Sequence, residues 1–147
     1  MSRNELETWQ FDAADGIKLA VHEVGEGRPL ILIHGYFSEA DTNWIKYGHA
    51  ALLAEAGFRV IMPDLRAHGA SGKPHDPAHY PKDILADDQF ALIEHLGRLR
   101  DGEGGERRVS LFLLNLRQFR DFNASAGTRR GDELLRRLAA LLRRAAP

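Results

Sequence analysis

Short apolar runs separated by polar, glycine-rich breaks predict an alternation of strands and helices along most of the chain. Two alternating segments, 6–11 and 17–24, flank the turn-prone stretch Ala-Ala-Asp-Gly and predict a β-hairpin. Continuous apolar runs at 29–33 and 58–62 predict strands buried on both faces of a parallel sheet. The first part of the chain is therefore expected to build a sheet around these strands.

Apolar residues at helical spacing predict helices that follow the strands. They cover 42–56, which stops at Gly57, and 84–96, which stops at Gly97. Further along, 109–116 is predicted as a strand, 118–123 as a helical piece and 131–145 as a helix with a leucine stripe and outward-facing arginines. This order predicts an α/β fold with three layers, in which helices cover both faces of a mostly parallel sheet with an N-terminal hairpin.

Composition fits one soluble globular domain over 1–147. The chain has 147 residues, of which 44% are hydrophobic and 28% charged, and no apolar run approaches the roughly 20 residues that cross a bilayer. Because cysteine is absent, disulfides, thiolate metal sites and a cysteine nucleophile are excluded. These features predict a cytoplasmic protein without a membrane partner.

Charge changes sign along the chain, which indicates two segments within that domain. Residues 1–97 contain 8 Lys or Arg against 15 Asp or Glu, whereas residues 98–147 contain 12 against 6. The second segment uses arginine only, in pairs such as 136–137 and 143–144. Such pairs bind phosphate or nucleic acid in some proteins, but a solvated helix face explains them more simply, and no nucleic-acid partner is expected.

Three motifs in this order are specific enough to indicate a protein family. They are Ile-Leu-Ile-His-Gly-Tyr-Phe at 31–37, Pro-Asp-Leu-Arg-Ala-His-Gly-Ala-Ser-Gly at 63–72, and the segment 83–97. Together they resemble the N-terminal half of the α/β-hydrolase fold over about residues 5–97. The resemblance implies that the loop of Gly35, Tyr36 and Phe37 contributes to an oxyanion hole: the N–H of Tyr36 or of Phe37 is the donor, and Gly35 permits the close backbone approach. Such donors contribute roughly 3 to 4 kcal/mol to catalysis.

The motif that carries the catalytic serine in that family does not appear after these three motifs. Ser71 lies between glycines but belongs to the loop after the second buried strand, and no Gly-x-Ser-x-Gly elbow comes later. Residues 100–144 resemble the first half of a GGDEF domain, the fold of diguanylate cyclases, through Phe119, Arg120, Asn123, Gly127, Gly131 and Asp132. Asn115 and Arg117 replace the expected metal-binding carboxylates, and the signature hairpin is absent. We therefore expect no cyclase activity.

A chimera joined near residues 97–100 explains both resemblances. In this hypothesis the GGDEF-like strand at 109–116 takes the fifth position of the hydrolase sheet and completes it. Asn115 and Arg117 would then lie at its carboxyl end, where ligands bind in open α/β sheets, and they are predicted to contact substrate together with Arg66.

His34, Asp64 and His68 are the candidate catalytic residues, because they follow the buried strands at the same sheet edge. A structural role in organising their loops is the alternative for each of them and for Arg66. His75 and His79 are candidate metal ligands, although Pro74, Pro77 and Pro81 favour an exposed loop over a helix that would align them.

Two functions remain open from the sequence. The first is a weak or promiscuous hydrolase of small ester or phosphoester substrates, which uses a water activated by histidine or by a divalent metal; the sequence requires no cofactor. The second is a catalytically silent folded chimera. A homo-oligomer is expected in either case, because exposed strand edges and apolar patches associate.

Overall fold

The computed structural model describes residues 5–100 and 119–145. The chain divides into two compact units, Met1–Gly104 and Gly105–Pro147. The strand predicted at 109–116 lies outside the described residues. Its place in the sheet and the single-domain arrangement of the two segments stay predictions.

Four described strands of the first unit form one mixed sheet. They are β1 (Glu7–Asp12), β2 (Lys18–Val24), β3 (Arg28–Ile31) and β4 (Phe58–Pro63), arranged in the order β1-β2-β4-β3. The pairs β1–β2 and β2–β4 are antiparallel, and β3–β4 is parallel. The α/β class and the N-terminal hairpin are confirmed. Among the described strands, β3 and β4 are the pair that runs parallel.

The hairpin register follows from its turn. Pairing runs from Glu7 opposite Glu23 to Asp12 opposite Lys18. The turn closes through the N–H of Ala13, which donates to the carbonyl of Ile17 at 2.9 Å. This register places the apolar residues of β2 on the buried side of the sheet.

The predicted helix at 42–56 is wrong as one continuous element. A π-helical turn at Asp41–Ile45 precedes α1 (His49–Glu55), and Gly48 between them has a φ of +77°. Because this left-handed conformation cannot continue a right-handed helix, Gly48 divides the segment. The helix predicted at 84–96 is confirmed as α2 (Ile84–Arg100), which is longer at its C-terminal end.

The core of the first unit lies between the sheet and α2. Phe11, Leu19, Val21 and Ile61 on the sheet pack against Leu92 of α2, and all five side chains are buried. Burial of side chains of this size contributes about 1.5 to 3 kcal/mol each. This packing holds the N-terminal part of α2 beside the loops that leave the carboxyl ends of β3 and β4.

The second unit contains two described helices, α3 (Phe119–Ala126) and α4 (Thr128–Ala145). Gly127 separates them with a φ of +82°. Gly131 of α4 lies so close to α3 that a Cβ atom there would be 1.9 Å from Oδ1 of Asn123. None of the described helices combines the length and the apolar character needed to cross a bilayer.

Candidate functional site

Asp64 connects the loops that follow β3 and β4. Its Oδ1 accepts a hydrogen bond from the N–H of Ala40, and its Oδ2 accepts one from the N–H of Ala70, both at 2.9 Å. Nε2 of His22, on β2, lies 3.0 Å from Oδ2. Burial raises the pKa of Asp64, but the hydrogen bonds from His22 and the two N–H groups outweigh it and lower the pKa to about 2. Asp64 is therefore an ionised anchor of both loops.

The loop at 64–72 is fixed further by Ser71 and Gly69. The hydroxyl of Ser71 donates to the carbonyl oxygen of Asp64 at 2.6 Å and accepts from the N–H of Ala20 at 2.8 Å. Gly69 has a φ of +47°, and a Cβ atom there would be 2.2 Å from Oδ2 of Asp64. Ser71 is thus buried, and its hydroxyl holds the loop to β2.

His34 is engaged by backbone groups at both ring nitrogens. Nε2 accepts from the N–H of Leu65 at 2.9 Å, so the proton is assigned to Nδ1, which donates to the carbonyl of Gly35 at 2.8 Å. The side chain is buried. This arrangement agrees with the structural alternative for His34, since no lone pair of the ring is available to a substrate.

His68 lies nearer to solvent, and both of its ring nitrogens face carbonyl oxygens, so the neutral ring can donate to only one of them. Its Nδ1 faces the carbonyl oxygen of Arg66 at 2.8 Å, and its Nε2 makes a short contact with the carbonyl oxygen of Tyr36. The ring of Tyr36 packs edge-on against the imidazole, with centroids 5.4 Å apart. A general base needs an accessible nitrogen lone pair, so His68 acts as a base only when its unprotonated nitrogen turns away from the carbonyl oxygen that it faces.

Arg66, predicted to bind substrate, is bonded through its whole guanidinium group to other parts of the protein. Nε and Nη2 donate to Asp88 at 2.9 and 2.8 Å, Nη1 and Nη2 donate to Asp15 at 2.5 and 2.9 Å, and Nη1 also donates to the carbonyl of His79 at 2.9 Å. These contacts use all five N–H groups of a side chain that is 0% exposed. Arg66 therefore has no donor left for a substrate.

Two carboxylates balance this buried guanidinium. Hydrogen bonds to Asp88 and then to Asp15 hold the pKa of Arg66 well above its usual value, although burial opposes them. Hydrogen bonds from Arg66 hold the pKa of Asp15 well below its usual range. Nδ1 of His79 also lies 2.9 Å from Oδ2 of Asp15. The network joins the β1–β2 turn, the loop after β4 and α2.

A cleft of about 320 Å³ opens beside these loops. Its lining residues come from three segments and are Tyr36, Arg66, Ala67, His68, Tyr80, Pro81, Asp83, Ile84 and Leu85. Ala67 and Asp83 have φ values of +67° and +66°, a conformation that costs a residue with a side chain of order 1 kcal/mol. Backbone strain of this kind is concentrated at binding sites, and here both strained residues line the same cleft.

Residues 28–98 match a known protein family, the one described as the alpha/beta hydrolase fold. The crystal structure of an epoxide hydrolase from Vigna radiata superimposes with a TM-score of 0.55 and 33% identity over 66% of this chain. Residues 28–98 have the α/β-hydrolase fold.

Related sequences agree with this assignment. Epoxide hydrolase 3 of Siraitia grosvenorii is 34% identical over 84 residues, and a non-heme haloperoxidase of Rhodococcus erythropolis is 38% identical over 92 residues. These matches cover 56% and 60% of this chain but 25% and 30% of the relatives. This chain covers 30% of the Vigna radiata protein in that crystal structure. The chain thus spans between a quarter and a third of the length of these proteins.

The predicted oxyanion loop of the α/β-hydrolase segment is exposed. The N–H of Gly35 donates to Oδ1 of Asn43 at 3.0 Å, which occupies that donor. Among the described residues, no acceptor is bonded to the N–H of Tyr36 or Phe37. The side chains of Tyr36 and Phe37 are 64% and 98% exposed. The two N–H groups remain as candidate donors, and that of Gly35 does not.

The predicted metal ligands do not form a site in the described part of the α/β-hydrolase segment. Pro77–His79 forms a single 3-10 turn that Asp76 caps, so His75 and His79 do not share a helix face. Across residues 5–100 and 119–145, no three His, Asp or Glu side chains are grouped as metal ligands would be. Asn115 and Arg117, predicted to bind substrate, lie outside the described residues.

Sequence reasoning missed the residues that complete the two networks. Asp15, Asp88 and His22 were not singled out, although each contacts a residue that was. They lie between 22 and 51 residues from their partners. The sequence position of Asp88 was a usable signal, because it shares a helix face with Leu92 and Leu96, and an acidic residue on an apolar helix face requires a partner.

Proposed function

We propose that the α/β-hydrolase segment is a weak, promiscuous hydrolase of small ester or phosphoester substrates. The observation that carries this proposal is the exposed loop at Tyr36 and Phe37: their N–H groups have no acceptor among the described residues, and Tyr36 lines the cleft. Preorganised N–H donors stabilise the negative charge that develops on a carbonyl or phosphoryl oxygen. His34 donates to the carbonyl of Gly35 and Asp64 accepts from the N–H of Ala40, so both ends of the loop are held, which supports preorganised donors.

His68 supplies the base in this proposal, since it is the imidazole that lines the cleft. It must first break its contact with the carbonyl of Tyr36 or of Arg66 before it removes a proton from water. This requirement supports a slow reaction, because the competent arrangement is populated only part of the time. The epoxide hydrolases among the relatives make epoxides a third substrate class to examine.

The experiment pairs substitutions that differ only in the backbone donor. Tyr36→Pro and Phe37→Pro remove the N–H, whereas the matched controls Tyr36→Ala and Phe37→Ala remove the ring and keep the N–H. Purified variants are assayed on activated carboxyl esters, phosphate esters and epoxides, with circular dichroism to confirm folding. We expect one proline variant to lose about 100-fold in kcat while its alanine control loses little.

Three outcomes contradict the proposal or change its chemistry. No turnover above buffer on any substrate rejects the enzyme. Equal losses in proline and alanine variants reject the oxyanion role. If a chelator abolishes turnover and one metal restores it, the attacking water is bound to a metal and is not activated by histidine. If His68→Ala loses activity and a chelator has no effect, the result supports histidine as the base.

A catalytically silent folded chain is the second candidate. It is favoured by the positions of His34, Arg66 and His68, whose side-chain nitrogens all lie within hydrogen-bonding distance of other groups of the protein. The matched segments cover only 25% and 30% of the two relatives. The same assays decide between the candidates.

The fusion to a GGDEF-like segment is likewise our proposal. It is supported by the change of charge near residue 97 and by the close approach of Asn123 to Gly131, which explains why glycine occupies that position. No diguanylate cyclase activity is proposed, because Asn115 and Arg117 stand where carboxylates would bind metal.

A further inference from the structure

Helix α4 has an apolar stripe that α3 does not cover along its whole length. Leu134, Leu138 and Leu141 fall within an arc of about 60° on the helix surface. With 8 residues α3 is about 12 Å long, whereas α4 has 18 residues and is about 27 Å long. The exposed fraction accordingly rises from buried Gly131 beside α3 to 37% at Leu134 and 60% at Leu141.

Arginines follow one edge of this stripe. Arg130, Arg137 and Arg144 recur every seven residues and lie beside the leucines on the helix surface, and all three are exposed. The helix also carries Arg129 and Arg136 on its outer face, against two acidic residues, Asp132 and Glu133. The surface next to the leucines is therefore strongly basic.

This combination fits the surface of an anionic lipid bilayer. Leucines on one face insert into the boundary between headgroups and acyl chains, while arginines at the edge contact the phosphates. A second copy of α4 would match the leucines, but it would add six arginines and only two acidic residues, one of which, Glu133, already pairs with Arg137 of its own helix. Charge complementarity thus favours an anionic lipid surface over self-association.

We propose that α4 binds peripherally to membranes that contain anionic phospholipids. The helix lies in the plane of the interface, with Leu134 and Leu141 directed to the acyl chains and Arg130 and Arg144 directed to the headgroups. It does not cross the bilayer, so the proposal is compatible with the length of its apolar stripe. It is independent of hydrolase activity.

Co-sedimentation of the full chain with vesicles tests this proposal. Vesicles of phosphatidylcholine mixed with phosphatidylglycerol are compared with vesicles of phosphatidylcholine alone, at low and at physiological salt. We expect binding to the anionic vesicles only, and weaker binding as salt rises, because the arginine contacts are screened. Leu141→Glu is expected to reduce partitioning more than tenfold, and Arg144→Gln about fivefold.

Matched controls lie on the first unit. Phe90→Glu changes an exposed apolar residue on α2, and Lys46→Gln removes an exposed cation; both are expected to bind as the parent chain does. Leu141 is 60% exposed, so its substitution should leave the helix folded, which circular dichroism verifies. Equal binding to both vesicle types, or binding that Leu141→Glu leaves unchanged, overturns the proposal. So does a dimer in light scattering that Leu141→Glu dissociates while no vesicle binding occurs.

Discussion

Removal of the Asp88 carboxylate is expected to be the most destabilising of the polar substitutions in the first unit. Asp88→Ala takes away the acceptor for Nε and for one proton of Nη2 of Arg66. The side chains of Asp88 and Arg66 are 2% and 0% exposed, so water cannot replace the lost acceptor. The variant would retain a buried guanidinium balanced by Asp15 alone.

The expected loss is about 3 to 5 kcal/mol in the free energy of unfolding, which is the range for removing one partner of a buried ion pair. Because small domains are stable by about 5 to 15 kcal/mol, this is a large fraction of the total. Asp15→Ala should cost less, about 1 to 3 kcal/mol, since the side chain of Asp15 is 31% exposed and water reaches its place.

Urea unfolding at neutral pH measures these differences through the fluorescence of the two tryptophans. Lys18→Ala is the control, because the Lys18–Asp12 pair has side chains 66% and 63% exposed and should contribute at most about 1 kcal/mol. The double variant Arg66→Met with Asp88→Leu removes both buried charges and should recover most of the loss.

Two results would refute this reasoning. If Asp88→Ala and Lys18→Ala destabilise equally, the buried network has no special energetic weight. If the double variant is as unstable as Asp88→Ala, the loss comes from packing and not from an unpaired charge.

Two further predictions concern Asp64 and its loop. Gly69→Ala should lower the free energy of unfolding, measured in urea, by more than about 2 kcal/mol, because the added Cβ would lie 2.2 Å from Oδ2 of Asp64. The control Gly16→Ala also has a positive φ, +80°, but open space around the Cβ, so it should cost about 1 kcal/mol. Equal costs would contradict the steric argument. The pKa of Asp64 is lowered to about 2, so its contribution of about 2 kcal/mol is present above pH 4 and is lost as pH falls toward 2. Urea midpoints measured between pH 5 and pH 2 should fall less steeply in Asp64→Asn, and identical pH profiles would contradict the shift.

Local patterns predicted most of the first unit. The hairpin was evident because a turn-prone stretch separates two alternating segments, and α2 because its apolar residues recur at helical spacing. The division at Gly48 was missed because a single glycine inside an apolar periodic segment is tolerated in many helices. Its conformation depends on how the segment packs, which the periodicity does not contain.

The site was predictable in position but not in role. His34, Asp64, Arg66 and His68 do lie together at the carboxyl ends of β3 and β4. Their partners, however, come from the hairpin turn and from α2, so the roles follow from contacts between distant segments. An exposed arginine at this edge would bind an anion, whereas Arg66 is buried between two carboxylates and stabilises the fold.

The order in which the chain closes its contacts has a consequence for when the cleft forms during folding. The hairpin closes across 6 residues between Asp12 and Lys18, whereas the bond from His22 to Asp64 closes across 42. Loop-closure entropy makes the longer connection about 2 kcal/mol more costly, and the pairing of β2 with β4 closes a loop of similar length, so we expect both to form after the hairpin. We therefore expect the loop of Ala67 and His68 to be ordered late, so that mutations that slow the docking of β4 delay the formation of the site.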